Sequence, residues 1–272
     1  VYQNNIKNDY WKPKTQSNSF TSNFAYPVIH PNRDKIVKEL QDNDIEVRPM
    51  ICGSMGTQPF YVKHYGKLEL PNVTLLSATS VDIDAAQMSM RISLHNIKFG
   101  KSKLLCSSLP KQKYPDIEYV FIPPLNSVEC YSQLIIQDLH KYFETSHCLI
   151  VQADSFVVNS DLWKKEFLEY DYIGGPWPNK IQVNPDLLLN LEKNPVGNGG
   201  FSLRSRKLAE TTAKINFKSL KFPMKVEDVV ICHFLYQEMI DNGIRFAPAK
   251  LAAQFSMENV ENLYGQNVDS VF

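Results

Sequence analysis

The sequence contains 272 residues, of which 43% are hydrophobic and 21% are charged, as in an ordinary globular protein with one large domain or two smaller ones. Its 29 basic residues balance 29 acidic ones, so the chain has no net field that would attract nucleic acid or an anionic membrane. No apolar run reaches the roughly 18 residues of a transmembrane helix, and no charged-then-apolar signal segment opens the chain.

The five cysteines are widely spaced, and no pair has the C-x-x-C spacing of a zinc site. Most of them stand in apolar stretches. The pattern predicts reduced core cysteines and a cytoplasmic protein, because disulfides persist mainly in oxidising compartments.

Residues 1–71 are predicted to form an incomplete α/β unit. After a polar start come an apolar strand, "NFAYPVI", and a helix, "NRDKIVKELQDND", with Asn32 as the expected cap and Ile36, Val37 and Leu40 on one face. The following stretch is rich in proline, glycine and aromatic residues. A unit this small buries too little surface to be stable alone, so it is expected to dock on something else.

Residues 20–71 resemble the C-terminal small domain of pyridoxal-phosphate-dependent nucleotide-sugar aminotransferases, through "IEVRPMICGSM" and "QPF". In that family the cofactor lysine and pyridoxal pocket belong to a large domain, which would precede residue 1. The resemblance therefore implies that this chain binds no pyridoxal phosphate and is not a competent aminotransferase. Either it is the tail of a fusion protein with an aminotransferase domain upstream, or the segment is a remnant used as scaffold.

From residue 72 onward, strands and helices alternate, which predicts a mainly parallel sheet flanked by helices. The predicted strands are "VTLLSAT", "SKLLCSS", "EYVFIPP" and "HCLIVQAD", and the predicted helices between them are "DAAQMSMRISLHNI" and "SVECYSQLIIQDLHKYFE".

Asp154 ends the last of these strands, where ligands of such sheets bind. The chain lacks the glycine-rich phosphate motifs G-x-G-x-x-G and G-x-x-x-x-G-K-[ST]. A divalent cation on a carboxylate is the usual alternative for holding a diphosphate, so Asp154 is the expected metal ligand, with Gln152 as a weak neutral donor. The alternative is that Asp154 only forms a turn after the strand.

The loop "YDYIGGPWP" places two glycines between aromatic residues. Gly174 and Gly175 would let the backbone approach a ligand closely. Trp177 offers a flat face for a sugar ring or, alternatively, is a packed anchor of the loop.

The stretch "VGNGGFSLRS" predicts a glycine-rich turn that enters a short strand. Asn198 is a candidate for hydrogen bonding to a sugar or, equally, the left-handed residue of the turn. Gly199 and Gly200 are expected to shape the loop. The following "RSRK", residues 204–207, reads as a solvated helix start, with phosphate contact as the alternative.

Glu227 and Asp228 open the apolar helix "EDVVICHFLYQEM", which is expected to end near Gly243. Acidic residues in the first turn of a helix interact favourably with the helix dipole, and this effect alone is enough to explain the presence of one of the two. The other reading is that one of the two is a general base.

Five stretches in this order, "LIVQADSFVV", "YDYIGGPW", "GNGGFSLRS", "EDVVIC" and "FAPAKLAAQFSMEN", resemble metal-dependent glycosyltransferases of the GT-A nucleotide-sugar fold. They are most similar to a bacterial glycosyltransferase-like domain family of uncharacterised function. The resemblance runs from about Val73 to the end. It implies an inverting transferase with Asp154 on Mn²⁺ or Mg²⁺, and Asp228 or Glu227 as the base. Gln152 stands where the D-x-D motif has its first carboxylate.

The sequence thus predicts a partial aminotransferase-like segment, 1–71, and a GT-A-like α/β domain, 72–272. The predicted reaction moves a sugar from a nucleotide-sugar donor to a hydroxyl of a glycan or lipid-linked acceptor, in polysaccharide or glycan biosynthesis. Peripheral membrane association would accompany a lipid-linked acceptor, and the oligomeric state is left open. The alternatives are a non-catalytic nucleotide- or carbohydrate-binding domain attached to a sugar aminotransferase, which Gln152 favours, and a structural scaffold.

Overall fold

The computed structural model describes residues 32–44, 67–258, 263–266 and 268–272. The chain divides into two compact units, Val1–Gln58 and Pro59–Phe272. The strand β1 begins at Leu68 and therefore crosses position 71, where the sequence placed the domain boundary.

In the first unit, the described part is the helix α1, Arg33–Gln41. Ile36, Val37 and Leu40 are half-buried, as the predicted apolar face requires. Asn32 occupies the predicted cap position, but its side chain does not cap the helix. The predicted strand "NFAYPVI" and the stretches "IEVRPMICGSM" and "QPF" lie outside the described residues.

In the second unit, strands and helices alternate through the first half, as predicted. The strands are β1 (Leu68–Thr79), β2 (Ile97–Cys106), β3 (Glu118–Phe121), β4 (His147–Val151), β5 (Tyr172–Ile173), β6 (Lys180–Asn184), β7 (Leu187–Asn190) and β8 (Phe201–Ser205). The α-helices are α2 (Ile83–Asn96), α3 (Val128–Gln133), α4 (Arg206–Thr212), α5 (Glu227–Val229), α6 (Tyr236–Asp241) and α7 (Ala249–Phe255).

Two of the predicted long helices change type along their length. After α3 the chain continues as a π-helical turn, Leu134–Asp138, and then a 3₁₀ turn, Leu139–Lys141. After α5 it continues as a π-helical turn, Val230–Phe234, before α6. Such π turns are rare and often stand beside functional sites. Short 3₁₀ turns complete the secondary structure: Ser160–Leu162, Lys165–Glu169, Phe217–Ser219, Leu263–Gly265 and Val268–Ser270.

The main sheet has the strand order β3-β2-β1-β4-β8-β5. β3, β2, β1 and β4 are parallel, whereas β8 runs antiparallel to β4 and β5 antiparallel to β8. The strand order reverses between β1 and β4, so the crevice at their carboxyl ends is where an α/β sheet binds ligands. The predicted mixed, mainly parallel α/β sheet is confirmed.

The sheet is covered on both faces. Leu75 and Leu76, neighbours on β1, point into different apolar clusters because side chains alternate along a strand. Met90 of α2 packs into the first cluster, and Ile135 and Leu139, which follow α3, pack into the second. A parallel strand buried on both faces reads as a continuous apolar run, which is why β4 is "HCLIV".

The β6–β7 hairpin was not predicted from the sequence. Its turn is held by the Asn184 side chain, whose Oδ1 accepts from the Asp186 N–H at 2.9 Å. This local bond between a side chain and the backbone two residues on is the ordinary stabiliser of such turns.

The described cysteines are all free. Cys106, Cys148 and Cys232 are buried, as predicted, whereas Cys130 is exposed at the start of α3. Within the described ranges, no helix is both long enough and apolar enough to cross a membrane.

The helix α2 begins at a capping aspartate. Asp82 accepts a hydrogen bond from the Ala85 N–H at 3.2 Å. We expect Asp82→Ala to lower the free energy of unfolding by about 1 kcal/mol, because this N–H loses its partner. Asp82→Asn keeps an oxygen at the cap and should stay near wild type. Urea unfolding measures both variants, and equal losses in the two would contradict the capping role.

Candidate functional site

A cavity of about 680 Å³ opens at the carboxyl edge of the parallel strands. The register pairs Val151, the last residue of β4, with Phe201, the first residue of β8. Because β8 is antiparallel, the segment after β4 and the segment before β8 meet at this edge. The cavity walls include most of the predicted site residues: Gln152, Asp154, Asn198, Gly199, Gly200, Glu227 and Asp228.

Asp154 lies exposed in the turn that follows β4. The turn is fixed by Ser155, whose hydroxyl accepts from the Gln152 N–H at 2.8 Å and donates to the Gly200 carbonyl at 2.7 Å. Asp154 thus forms the turn that its residue type predicts and also presents a carboxylate to the cavity.

Gln152 packs inward, against Gly200 and near Tyr131. Its Oε1 lies 2.9 Å from the place that a Cβ on residue 200 would take, so glycine there leaves room for the carboxamide. Burial raises the pKa of the Tyr131 hydroxyl, and the charges of Glu227 and Asp228 raise it further. Tyr131 therefore stays a neutral phenol in the cavity wall.

Glu227 forms a buried ion pair with Arg204. Its two oxygens meet Arg204 Nη1 at 2.6 Å and Nη2 at 2.8 Å, and Arg204 Nε donates to Ser202 Oγ at 3.0 Å. The Arg204 guanidinium also lies over the Tyr172 ring. Burial raises the pKa of the Glu227 carboxyl, while Arg204 opposes that rise.

This ion pair corrects two expectations. Arg204 is 1% exposed rather than part of a solvated helix start, because it must reach the Glu227 carboxylate across the sheet end. Glu227 is 2% exposed with both oxygens on Arg204, so it holds the structure together and is not placed to take a proton from a substrate.

Asp228 is half-buried in the cavity wall, and both of its oxygens are engaged. Oδ2 accepts from the Gly199 N–H at 2.8 Å, and Oδ1 accepts from the Val229 N–H at 2.7 Å. Gly199 also lies close to the ion pair, since a Cβ there would stand 1.8 Å from Glu227 Oε1. Asp228 therefore ties the glycine-rich turn to the start of α5.

Asn198 adopts the predicted left-handed conformation, and its side chain reaches the cavity, where sugar binding by this residue stays a prediction. Its φ of 58° is left-handed, as a turn between glycines suggests. Its side chain lines the cavity, with Nδ2 3.4 Å from Ser256 Oγ.

Gly174, Gly175 and Trp177 do not line the cavity, contrary to the prediction of ligand contacts. A Cβ on Gly174 would lie 1.8 Å from the Gly197 carbonyl oxygen, so Gly174 is needed for backbone packing. Trp177 is 6% exposed, and Gly197 lies against its ring. It is therefore a packed anchor of the loop, which was the alternative interpretation.

Glu258 is a cavity residue that the sequence reasoning missed. It follows α7 in a polar stretch, and only its place in "FSMEN" marked the region. Glu258 as a whole is exposed, but its carboxyl turns inward, where Oε2 accepts from Trp177 Nε1–H at 2.9 Å. Burial raises the pKa of this carboxyl; the Trp177 bond opposes the rise, and the charges of Asp228 and Asp154 add to it.

The described charged residues that line the cavity are all acidic. Its walls carry Asp154, Glu227, Asp228 and Glu258, and none of the described lining residues is basic. Arg204, just behind the wall, is occupied by Glu227. Among the described residues, no three His, Cys, Asp or Glu side chains cluster closely enough to hold a metal by themselves. The donor set therefore fits a Mg²⁺- or Mn²⁺-like ion that takes one carboxylate and otherwise phosphate and water oxygens, and does not fit an all-protein cage.

Comparison with known proteins gives a family match and remote likenesses among solved structures. Residues 116–270 match the family described as "Protein of unknown function (DUF5672)". Among solved structures, one similar chain is the mannosyltransferase PcManGT from Pyrobaculum calidifontis in complex with GDP-Man and Mn²⁺, with 9% identity and a TM-score of 0.39. The match covers 66% of this chain and 56% of that one. No curated protein matches the sequence.

Proposed function

The chain belongs to the family of unknown function DUF5672, and we propose from the residues of its cavity that it transfers a sugar from a nucleotide-sugar donor to an acceptor hydroxyl with the help of a bound cation. The observation that carries the proposal is the meeting of Asp154 with the Asn198–Gly200 turn where the end of β4 lies beside the start of β8, in an acidic cavity.

The charge of the walls supports a cation as part of the donor site. A diphosphate entering beside Asp154, Asp228 and Glu258 would meet only negative charge from the side chains. A bound Mn²⁺ or Mg²⁺ would neutralise the diphosphate and favour its departure. Asp154, exposed at the end of β4, is the carboxylate placed to hold such an ion.

The remaining walls supply neutral polar groups suited to a sugar. Asn198 and Ser256 present an amide and a hydroxyl side by side at the cavity. Neutral donors and acceptors of this kind recognise hydroxyl groups without a charge. A free glycan and a lipid-linked acceptor both carry the hydroxyl that the reaction needs.

We expect one nucleoside diphosphate to stabilise the protein in a thermal-shift screen of UDP, GDP, ADP, CDP and dTDP, but only when Mn²⁺ is present. At 100-fold excess over the dissociation constant the stabilisation is about 2.7 kcal/mol. Asp154→Ala should abolish it, because the cation loses its protein ligand. Asp186→Ala removes an equivalent exposed charge from the β6–β7 turn and should leave the shift unchanged.

Two kinds of result would contradict the proposal. A shift of the same size without Mn²⁺, or in Asp154→Ala, would remove the cation from the proposal. No shift with any of the five nucleotides would remove the donor site.

A non-catalytic binding domain is the second candidate. Gln152 favours a binding domain, because its side chain is neutral and packs against Gly200. A carboxylate at this position would give a cation site a second charged ligand. A protein of this kind would bind a nucleoside diphosphate in the same screen but would release none from the corresponding nucleotide sugar when acceptors are added.

A further inference from the structure

The four carboxylates of the cavity differ in which of their oxygens are available. Both oxygens of Glu227 are paired with Arg204. Both oxygens of Asp228 accept backbone N–H bonds. Among the described residues, Asp154 and Glu258 are the cavity carboxylates that have an oxygen with no hydrogen bond or ion pair.

Glu258 is held in a defined orientation. Trp177 Nε1–H fixes Oε2, and Trp177 is itself anchored by its backbone N–H, which donates to the Pro195 carbonyl at 2.8 Å. Within the described parts of the chain, no hydrogen bond reaches the other oxygen, Oε1. One oxygen is thus used for positioning and the other is open to a ligand.

The surroundings of Glu258 suit proton uptake. The neighbouring polar groups are the Asn198 amide and the Ser256 hydroxyl, which meet each other beside Gly175, and the Cβ of Glu258 lies 3.4 Å from the position of a Cβ on Gly175. The charged groups that act on it are Asp228 and Asp154, and Asp228 keeps its negative charge when a cation is bound at Asp154. Partial burial and the negative charge of Asp228 raise the pKa of the Glu258 carboxyl, which makes its carboxylate a stronger base.

Resting on the proposed function, we propose that Glu258, rather than Asp228 or Glu227, accepts the proton of the acceptor hydroxyl. In this step the acceptor O–H proton moves to Glu258 Oε1 and the acceptor oxygen bonds to the anomeric carbon of the donor sugar. The bond from that carbon to the diphosphate oxygen breaks, and its electron pair leaves with the nucleoside diphosphate. Trp177 acts as a positioning residue, since it holds Glu258 and touches no reacting atom.

The first test compares the wild type, Glu258→Gln and Asp228→Asn in the release of nucleoside diphosphate. The probes are UDP-glucose, UDP-N-acetylglucosamine, GDP-mannose, ADP-glucose and dTDP-glucose, with Mn²⁺ and methyl glycosides as acceptors. Glu258→Gln keeps an oxygen for the Trp177 bond but cannot take a proton, so we expect turnover to fall by about 10²–10⁴-fold. Nucleoside diphosphate binding with Mn²⁺ should be unchanged. Addition of formate to Glu258→Ala should restore part of the rate.

The second test uses pH. The Trp177 bond lowers the pKa of Glu258, so Trp177→Phe should raise that pKa and move the acid limb of the kcat/KM profile to higher pH. A purely structural role of Trp177 would lower the rate equally at every pH.

The outcomes separate this inference from the proposed function. Turnover by Glu258→Gln within threefold of the wild type, or loss of nucleotide binding in that variant, would overturn the role of Glu258 and leave the donor site standing. A wild type that binds none of the nucleotides would overturn the proposed function, and the role of Glu258 with it.

Discussion

Breaking the Arg204–Glu227 pair from one side is expected to lower the free energy of unfolding by about 3–5 kcal/mol. Arg204→Met would leave the Glu227 carboxylate buried without its counter-charge, and Glu227→Leu would leave the guanidinium in the same condition. Both side chains are almost fully buried, so water cannot replace the lost partner. Urea unfolding followed by tryptophan fluorescence measures the loss.

The double variant Arg204→Met/Glu227→Leu is the matched control. Replacement of both charges by apolar groups of similar size is often neutral or stabilising, so it should recover most of the loss. Glu69→Ala breaks the exposed Lys98–Glu69 pair, at 3.1 Å, and should cost less than about 1 kcal/mol. Single variants no less stable than that surface variant would show that the pair is not maintained in solution.

The pair also has a consequence for the cavity. Glu227 precedes Asp228, which accepts from the Gly199 N–H, and Gly199 lies against the Glu227 carboxylate. Loss of the pair should therefore loosen the Asn198–Gly200 turn and weaken nucleotide binding even where the protein remains folded.

Gly174→Ala and Gly175→Ala are expected to have very unequal effects on stability, although the residues are neighbours. A Cβ on residue 174 would lie 1.8 Å from the Gly197 carbonyl oxygen, a backbone atom that cannot move aside. We expect this variant to lose about 3 kcal/mol, at the upper end of the usual cost of overpacking. A Cβ on residue 175 would meet only side-chain atoms, the nearest being Asn198 Nδ2 at 3.2 Å.

Gly175→Ala should therefore stay within about 1 kcal/mol of the wild type, because the lower entropy of the unfolded chain offsets the small shift that the Asn198 side chain must make. Urea unfolding of the two variants side by side gives the comparison. Equal stability of the two would mean that the contact between Gly174 and Gly197 is looser than described. Weaker nucleotide binding in Gly175→Ala alone would place Asn198 in the donor site.

Local patterning predicted much of the fold. Apolar runs bounded by turn residues marked β1 and β4, and the 3.6-residue period marked α1 and α2, because both signals depend on which face of an element is buried. The β6–β7 hairpin was missed, since its strands are mostly exposed and carry little periodic signal. The π turns after α3 and α5 were missed because their sequences read as continuous helix.

The candidate site was likewise predicted only in part. Asp154, Asn198 and the glycine turn were found because each stands directly at the end or start of a strand. Glu258 and Trp177 could not be paired from the sequence, since 81 residues separate them and no spacing rule connects two loops. Arg204 was placed on the surface because charged residues are usually exposed, and only its partner explains its burial.

The sequence by itself therefore determined the order of strands and helices from β1 to β4, the mainly parallel α/β class and the loops that surround the cavity. Short-range periodicity and turn chemistry suffice for these features. Only the tertiary structure decided what each carboxylate does: Glu227 in an ion pair, Asp228 tying a turn, and Asp154 and Glu258 open to a ligand. The physical reason is that the role of a charged group depends on the partners that folding brings within about 3 Å of its oxygens, and those partners come from distant parts of the chain.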